Sequence, residues 1–205
     1  MSDDASHWRV FPWDPEAEDG APFSASFVAP QGGGRFDVPG TPVLYLAERP
    51  EHAVAERIQP FRGSILMDFD LTPPPHRLAL VEVTVSERAG AGVADCCDPT
   101  VLVALGQRPD TLASSDVTRS QAAAAVVHEQ GHTGLRWWSS LSGDWHGTVL
   151  FLDRVDRTEM TWGAPVPLTL EHPALVAACA ALGIRRWRQP RPGRPPGRRP
   201  RLRGA

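Results

Sequence analysis

Three residues of types that bind or cleave charged ligands lie close together in the first third of the chain: Arg35, Tyr45 and Glu56. Arg35 follows three consecutive glycines, which let the backbone approach a ligand closely. An arginine fork can bind two phosphate oxygens at once, so this segment suits a pyrophosphate. The sequence leaves open whether Tyr45, the only tyrosine, stacks on a cationic ring of a ligand or is a core residue with a satisfied hydroxyl group.

Glu56 is predicted to lie on the apolar side of a helix, because Ala53 precedes it by three positions and Phe61 follows. A buried carboxylate is costly unless it is paired. Glu56 is therefore expected to take part in chemistry or to close a salt bridge. Glu48 and Glu51 are the competing carboxylates. Both are predicted to be more exposed, and Glu51 is explained by its place in the first turn of the helix.

A second pattern of interest, His128-Glu129-Gln130-Gly131-His132, matches the H-E-x-x-H sequence of zinc hydrolases. On a continuous helix the two histidines would share a face and bind one zinc ion. Gly131 predicts instead that the helix ends near Gln130, which turns His132 away from His128. We therefore expect no metal site, and a zinc hydrolase is kept as an alternative hypothesis. The other histidines are expected at the surface: His7, His52, His76, His146 and His172.

Length and composition indicate one domain that works inside the cell. A chain of 205 residues can form a single sizeable core. No stretch reaches the roughly 18 apolar residues of a membrane helix, and the acidic start does not look like a secretory signal. The three cysteines have neither disulfide nor metal-ligand spacing, in agreement with a reducing compartment. We expect a cytoplasmic protein without membrane contact.

The C-terminal segment differs in charge from the rest of the chain. The formal net charge is −3, yet residues 185–205 contain nine arginines and no acidic residue. Because this segment is rich in proline and glycine and poor in apolar residues, it is predicted to be a disordered tail. The domain is then expected to span residues 1–184. The tail is either a solvated extension or an arm that makes weak contacts with nucleic-acid phosphates.

Helix and strand patterns alternate along the domain, which indicates a mixed α+β fold. Strands are predicted at residues 43–47, 77–85, 134–138 and 148–152, and helices at 50–58, 119–130 and 173–182. The segment 89–99 is predicted to be a loop. These elements place Tyr45 on a strand and Glu56 on the helix that follows it.

Taken together, these segments resemble the RES domain, a family named for its polar Arg, Glu and Ser groups. The matching segments are Gly34-Arg35-Phe36, Val43-Leu44-Tyr45-Leu46-Ala47, Ala53-Val54-Ala55-Glu56 with Phe61-Arg62-Gly63, and Gly134-Leu135-Arg136-Trp137-Trp138-Ser139 ahead of Val149-Leu150-Phe151. The resemblance covers roughly residues 8–154 and leaves the arginine-rich tail outside. Asp37 stands where many members have asparagine, and we expect it to make the loop more acidic beside an anionic ligand.

The resemblance implies both a fold and an activity. RES domains are similar in fold to the diphtheria-toxin-like ADP-ribosyltransferases, so we expect a single α+β domain with a split, mostly antiparallel sheet and flanking helices. Known members act as toxins that consume NAD or transfer ADP-ribose, and a helix-turn-helix antitoxin usually neutralises them. The resemblance thus implies NAD as substrate, no prosthetic group, and such an antitoxin as partner.

The sequence supports three functional hypotheses besides a zinc hydrolase, of which the first two are implied by the resemblance. The first is cleavage of the nicotinamide–ribose bond of NAD with water or phosphate as acceptor, the second is ADP-ribosylation of a protein, and the third is a catalytically silent binding module. In the first, Arg35 binds the pyrophosphate, Tyr45 packs on the nicotinamide side, and Glu56 stabilises the positive charge that develops on the ribose. Ser139 matches the family serine that helps hold the nucleotide, although Ser140 leaves the register uncertain by one.

Overall fold

The computed structural model describes residues 5–29, 32–114 and 116–187. The strands are β1 (Ala5–Pro12), β2 (Val43–Ala47), β3 (Ile65–Leu66), β4 (Leu78–Val85), β5 (Val93–Asp95), β6 (Gly134–Trp138), β7 (His146–Phe151), β8 (Met160–Trp162), β9 (Val166–Pro167) and β10 (Arg185–Arg186). The α-helices are α1 (Pro50–Ile58), α2 (Glu87–Ala91), α3 (Pro99–Ala104), α4 (Pro109–Leu112), α5 (Val117–Glu129) and α6 (Pro173–Leu182). None of the helices in these ranges has both the length and the apolar character that a membrane span requires.

One large sheet organises the domain. Seven strands follow the order β5-β6-β7-β2-β1-β4-β8, and β9 also pairs with β4. All pairs in this sheet are antiparallel except β5 with β6. The expectation of a single α+β domain with a mostly antiparallel sheet and flanking helices is confirmed. Strands β3 and β10 form a separate parallel pair.

Strand β2 lies inside the sheet and separates two parts of the core. Leu44 and Leu46 are buried on one side, and Tyr45 packs with the cluster on the other side. Because successive side chains of a strand point to opposite faces, this alternation follows directly from the sequence. Strand β2 therefore presents the Tyr45 ring on the face opposite to its leucines.

Helix α1 has the bounds that its sequence predicts. Pro50 occupies the first turn, where its missing N–H group costs nothing. The helix packs against α6, which ends at Gly183 with a left-handed φ of 68°. This packing against α6 fixes the orientation of α1 and therefore the direction in which its side chains point.

Several segments form elements that the sequence does not predict. The predicted loop at residues 89–99 contains the end of α2, the start of α3 and also β5, a strand of only three residues that pairs in parallel with β6. Tertiary pairing stabilises this strand, because so short an apolar run gives no clear strand signal. Strand β1 also lacks a clear sequence signal, since His7 and Arg9 interrupt its apolar residues. Its long antiparallel pairing with β4 explains why it forms.

The domain extends past the predicted boundary at residue 184. Arg185 and Arg186 form strand β10 beside β3, and the backbone N–H of Trp187 donates a hydrogen bond to the Leu66 carbonyl over 2.8 Å. The first three residues of the predicted tail therefore contact the domain. The rest of that tail, residues 188–205, lies outside the described residues.

Candidate functional site

A cavity of about 490 Å³ lies between the glycine-rich loop, β2 and α1. Its lining includes three of the residues singled out by the sequence, Arg35, Tyr45 and Glu56. Ser139 is not part of the lining, but it forms a hydrogen bond with Glu56. The volume falls in the usual range of small-molecule sites. The fold thus brings all four predicted residues to one place.

Arg35 is held at one end of its guanidinium group. Its Nη2 donates a hydrogen bond to the Leu112 carbonyl, and its Cζ lies 5.3 Å from the centre of the Phe36 ring. The buried Nε has no hydrogen-bond partner among the described residues. A buried donor without a partner costs free energy that a ligand oxygen would recover. Arg35 therefore has the hydrogen-bonding capacity that an anionic ligand requires.

The loop that carries Arg35 is fixed from two sides. The Gln121 side chain on α5 donates a hydrogen bond to the Gly34 carbonyl over 2.9 Å. Oδ2 of Asp37 accepts hydrogen bonds from the backbone N–H groups of Gly32 and Gly34 at 2.9 and 2.7 Å. The arginine is thereby presented from a rigid turn.

The hydroxyl group of Tyr45 both donates and accepts a hydrogen bond within the protein. It donates to Oδ1 of Asp37 over 2.7 Å and accepts from the Phe36 backbone N–H over 2.9 Å. Burial and the hydrogen bond to Asp37 raise the pKa of Tyr45 well above its ordinary value, so the hydroxyl stays protonated. The two interpretations of Tyr45 are therefore compatible, because its hydroxyl is satisfied while the side chain still lines the cavity.

Asp37 does not add exposed negative charge to the loop, contrary to the sequence expectation. Only 4 % of the residue is exposed, and its carboxylate accepts three hydrogen bonds from within the loop and β2. The carboxylate is thus turned inward and organises the loop. Three donors around one carboxylate compensate the cost of burying it.

Glycine is required at position 34 because the side chains of Tyr45 and Asp37 lie very close to its backbone. A Cβ atom at this position would lie 2.3 Å from Oη of Tyr45 and 2.4 Å from Oδ1 of Asp37. Real Cβ contacts do not reach such distances, so a larger residue would displace the hydrogen bond between the two side chains. The glycine preceding the arginine is therefore part of the construction of the site.

The predicted burial of Glu56 is wrong. Its side chain is 47 % exposed, whereas those of Glu48 and Glu51 are 29 % and 24 % exposed. Helix α1 buries the residues from His52 to Ala55, whereas Glu56 lines the cavity and is also open to solvent. The carboxylate therefore lies at an open position.

The two oxygens of Glu56 have different surroundings. Oε1 accepts a hydrogen bond from Ser139 Oγ at 3.2 Å and lies 3.1 Å from Nε2 of His52. Among the described residues, Oε2 accepts a hydrogen bond only from the exposed Gln59 amide, at 3.3 Å. Ser139 is buried and Ser140 is exposed, which distinguishes the two candidate serines. One oxygen is thus fixed by the protein and the other is largely available.

His52 is a site residue that the sequence interpretation placed at the surface. It is 2 % exposed, lines the cavity, and stacks on Trp145 with ring centres 5.4 Å apart and planes at 24°. Its Nδ1 lies 3.0 Å from the His146 carbonyl. The position of His52 four residues before Glu56 on one helix is the signal that identifies the pair. His7, also expected at the surface, is buried as well.

Two further arginines line the cavity. Arg9 donates hydrogen bonds to the carbonyls of Ala25 and Phe27 at 3.1 and 2.9 Å, and burial lowers its pKa to about 10. It remains a cation at neutral pH. Arg57 is exposed beside Glu56. The chain contains arginine but no lysine, and nothing in its sequence distinguishes Arg9 or Arg57 from the other arginines.

The zinc-like pattern does not bring its histidines to one site. Helix α5 ends at Glu129, and Gly131 has a φ of 95°. Nε2 of His128 lies 2.8 Å from Asp153, whereas Nδ1 of His132 lies 3.3 Å from the Gly92 carbonyl. A search of the described residues finds no group of three or more metal-binding side chains.

The RES domain family matches this sequence over residues 7–171, about four fifths of the chain. The chain belongs to the RES family. Comparison of this RES domain with curated proteins gives no match. Among solved structures, a chain in the M. tuberculosis MbcT–MbcA toxin–antitoxin complex is similar, with a TM-score of 0.58 and 17 % identity over 89 % of this chain and 91 % of that one. At this identity, the similarity shows the fold of the RES domain alone.

Proposed function

We propose that this RES domain is the toxin of a toxin–antitoxin pair and that it cleaves the nicotinamide–ribose bond of NAD, with water or phosphate as acceptor. The observation that carries the proposal is one cavity lined by Arg35, Tyr45 and Glu56. Ser139 donates a hydrogen bond to the Glu56 carboxylate in this cavity. Membership of the RES family and the similar fold in a toxin–antitoxin complex support it. The fold is proposed to be related to the diphtheria-toxin-like ADP-ribosyltransferases.

Binding of NAD uses the loop and β2. Arg35 has a buried Nε without a partner in the described structure, and we assign it to the pyrophosphate. Because the hydroxyl of Tyr45 is already paired, its contribution to binding comes from its ring, which packs on the cationic nicotinamide. Arg9 and Arg57 add positive charge to the same cavity. These contacts orient the dinucleotide with its glycosidic bond near Glu56.

Bond cleavage uses Oε2 of Glu56, which is contacted by the exposed Gln59 amide. As the bond between nicotinamide and ribose breaks, its electron pair moves to the nicotinamide nitrogen and cancels the charge there. Positive charge then develops on the anomeric carbon of the ribose, where a carboxylate stabilises it. Ser139 and His52 hold Oε1, so Oε2 is directed to this charge. The acceptor oxygen bonds to the same carbon and releases its proton to solvent.

The proposal is tested by incubating the purified protein with NAD, with and without phosphate. Nicotinamide is expected as one product, and mass spectrometry of the other product identifies the acceptor. Arg35→Ala is expected to raise KM, and Glu56→Gln to lower kcat by about 100-fold or more, as removal of a transition-state stabiliser does. Full activity in a folded Glu56→Gln protein would contradict the assigned role.

Protein ADP-ribosylation is the second candidate, and the exposure of Glu56 favours it. A carboxylate that lines the cavity and is 47 % exposed is accessible to a macromolecular acceptor. NAD labelled in its adenylate part would then mark a protein in cell extract while most of the NAD stays intact. Extensive NAD loss with no labelled macromolecule favours the first candidate.

The partner is proposed to be a helix-turn-helix antitoxin, and the site of action the cytoplasm, where NAD is available. Co-expression with such an antitoxin should restore growth of cells that express the wild-type chain. For residues 188–205, we propose weak, salt-dependent contact with nucleic-acid phosphates, which a truncation at residue 187 should abolish. No prosthetic group or metal ion is needed in this proposal.

A further inference from the structure

Both ring nitrogens of His52 face atoms that accept hydrogen bonds. Nδ1 lies 3.0 Å from the backbone carbonyl of His146, and Nε2 lies 3.1 Å from Oε1 of Glu56. A carbonyl oxygen has no hydrogen to donate, so Nδ1 must carry a proton for its contact to be favourable. The usual freedom of histidine to exchange tautomers is therefore removed at this position.

We infer that His52 is a positioning residue, fixed with a proton on Nδ1, and that it holds Glu56 through a second proton lying between Nε2 and Oε1. Without that second proton, the lone pair of Nε2 would face a carboxylate lone pair at 3.1 Å, which is a repulsive contact. The catalytic consequence rests on the proposed function, whereas the tautomer of His52 does not.

The surroundings of His52 leave little room for another arrangement. The ring is 2 % exposed and stacks on Trp145, so it cannot turn without opening the core. Ser139 Oγ accepts a hydrogen bond from the Leu141 backbone N–H at 3.1 Å, which leaves its own hydrogen to be donated to Oε1 of Glu56. Two donors, Ser139 and His52, therefore act on the same oxygen.

The other charged groups near the pair are engaged elsewhere or exposed. The His146 ring and Arg136 both contact Glu48, and on α1 itself Glu51 lies 3.8 Å from Arg49. Arg57 follows Glu56 and is exposed. The proton between His52 and Glu56 is therefore held by these two side chains, while the His146 carbonyl accepts the hydrogen bond from the other ring nitrogen of His52. Loss of the His52 contact would release Oε1 and with it the orientation of Oε2.

The tautomer is tested without NAD, by heteronuclear NMR of the histidine ring nitrogens in the full chain. The resonances of His52 are assigned from their loss in His52→Gln. We expect Nδ1 to stay protonated at every pH at which the protein is folded. In Glu56→Gln the amide can donate to Nε2, so the proton on Nε2 should be absent. A neutral ring with its proton on Nε2 in the wild type would overturn the inference.

The positioning role is tested by nicotinamide release. His52→Ala should lower kcat by about 100-fold with little change in KM, because a misplaced catalytic group slows the reaction step. In His52→Gln the side-chain amide can again donate a hydrogen bond to Oε1, so most of the activity lost in His52→Ala should return. His76→Gln, at a half-buried histidine that does not line the cavity, is the control for the loss of an imidazole. An unchanged kcat in His52→Ala, or no recovery of kcat in His52→Gln, would overturn the role.

The assignment of the His52 tautomer and the proposed cleavage of NAD can fail separately. If the NMR result is as expected and the wild type does not cleave NAD, the proposed function fails and the assignment of the His52 tautomer is supported. If NAD is cleaved and the His52 ring has the other tautomer, the inference fails and the proposed function is unaffected.

Discussion

The hydroxyl group of Tyr45 donates a hydrogen bond of 2.7 Å to Oδ1 of Asp37, which ties the central strand β2 to the loop that carries Arg35. The same carboxylate accepts the backbone N–H groups of Gly32 and Gly34 through its other oxygen. The aromatic ring and the arginine are therefore fixed relative to each other before any ligand binds. Such preorganisation reduces the ordering cost of binding.

Ionisation of Tyr45 is directly measurable, because the chain has one tyrosine. Burial and the Asp37 hydrogen bond raise its pKa above the ordinary value of 10.0. The folded state therefore binds the phenolic proton more tightly than the unfolded state. Its contribution to stability is complete below about pH 10 and is lost as pH rises further. Ultraviolet absorbance should show no tyrosinate until the chain unfolds in alkali.

Asp37→Asn provides the matched comparison for this titration. The amide keeps the shape of the carboxylate but removes its charge, so tyrosinate should form at lower pH than in the wild type. We expect a small loss of stability, because the amide oxygen can still accept the two glycine N–H groups. Identical titration curves for both proteins would contradict the role of Asp37.

Tyr45→Phe separates the hydroxyl group from the ring. The variant leaves Oδ1 of Asp37 and the Phe36 N–H without their partner, so the free energy of unfolding should fall by about 1–3 kcal/mol. The ring remains, so kcat should change little and KM should rise as the arginine loop loosens. Urea unfolding and steady-state kinetics measure the two effects. A large fall in kcat with unchanged stability would indicate direct chemistry by the hydroxyl.

Gly34→Ala should disrupt the same hydrogen bond from the opposite side. The added Cβ would lie 2.3 Å from Oη of Tyr45, and relief of this clash should cost about 1–3 kcal/mol of stability. At Gly33, a Cβ would meet no atom within 4 Å, so Gly33→Ala is the control for stability. Equal unfolding midpoints for the two variants would show that the loop adapts without moving Tyr45.

Local signals explain which parts of the site the sequence predicts. Arg35 follows glycines, Tyr45 belongs to an alternating apolar strand, and Glu56 lies on a helix that begins with proline. Each signal spans only a few residues, and the corresponding elements form with the predicted bounds at β2 and α1. The membership in the RES family follows from the order of these same segments.

Contacts between distant residues explain what the sequence does not predict. His52 is buried because the His146 carbonyl, 94 positions away, and Trp145 enclose its ring. The hydrogen bond from Ser139 to Glu56 spans 83 positions. The exposure of Glu56 depends on where the cavity opens. No pattern on the helix itself carries this information, because an apolar neighbour can face either a core or a pocket.

Glu48, which directly follows β2, makes the stability of the fold near the site depend on pH. Its carboxylate contacts Arg136, whose Nη2 lies 3.2 Å from Oε2, and the His146 ring at 3.6 Å. Arg136 in turn contacts Asp95 on β5 at 3.1 Å. Burial raises the pKa of Glu48, but the hydrogen bond and charge of Arg136 outweigh this effect, so the net pKa is lowered.

A carboxylate with a lowered pKa in the folded state stabilises the fold above its ordinary pKa of 4.5, and this contribution is lost as pH falls below that value. Glu48→Gln should therefore be less stable than the wild type near neutral pH, by about 1 kcal/mol or less for a partly exposed pair. The difference should shrink as acid protonates Glu48 in the wild type. Urea unfolding across this pH range measures it, with Glu18→Gln, an exposed site on a turn, as control. A difference that grows in acid would mean that Arg136 does not stabilise the Glu48 carboxylate.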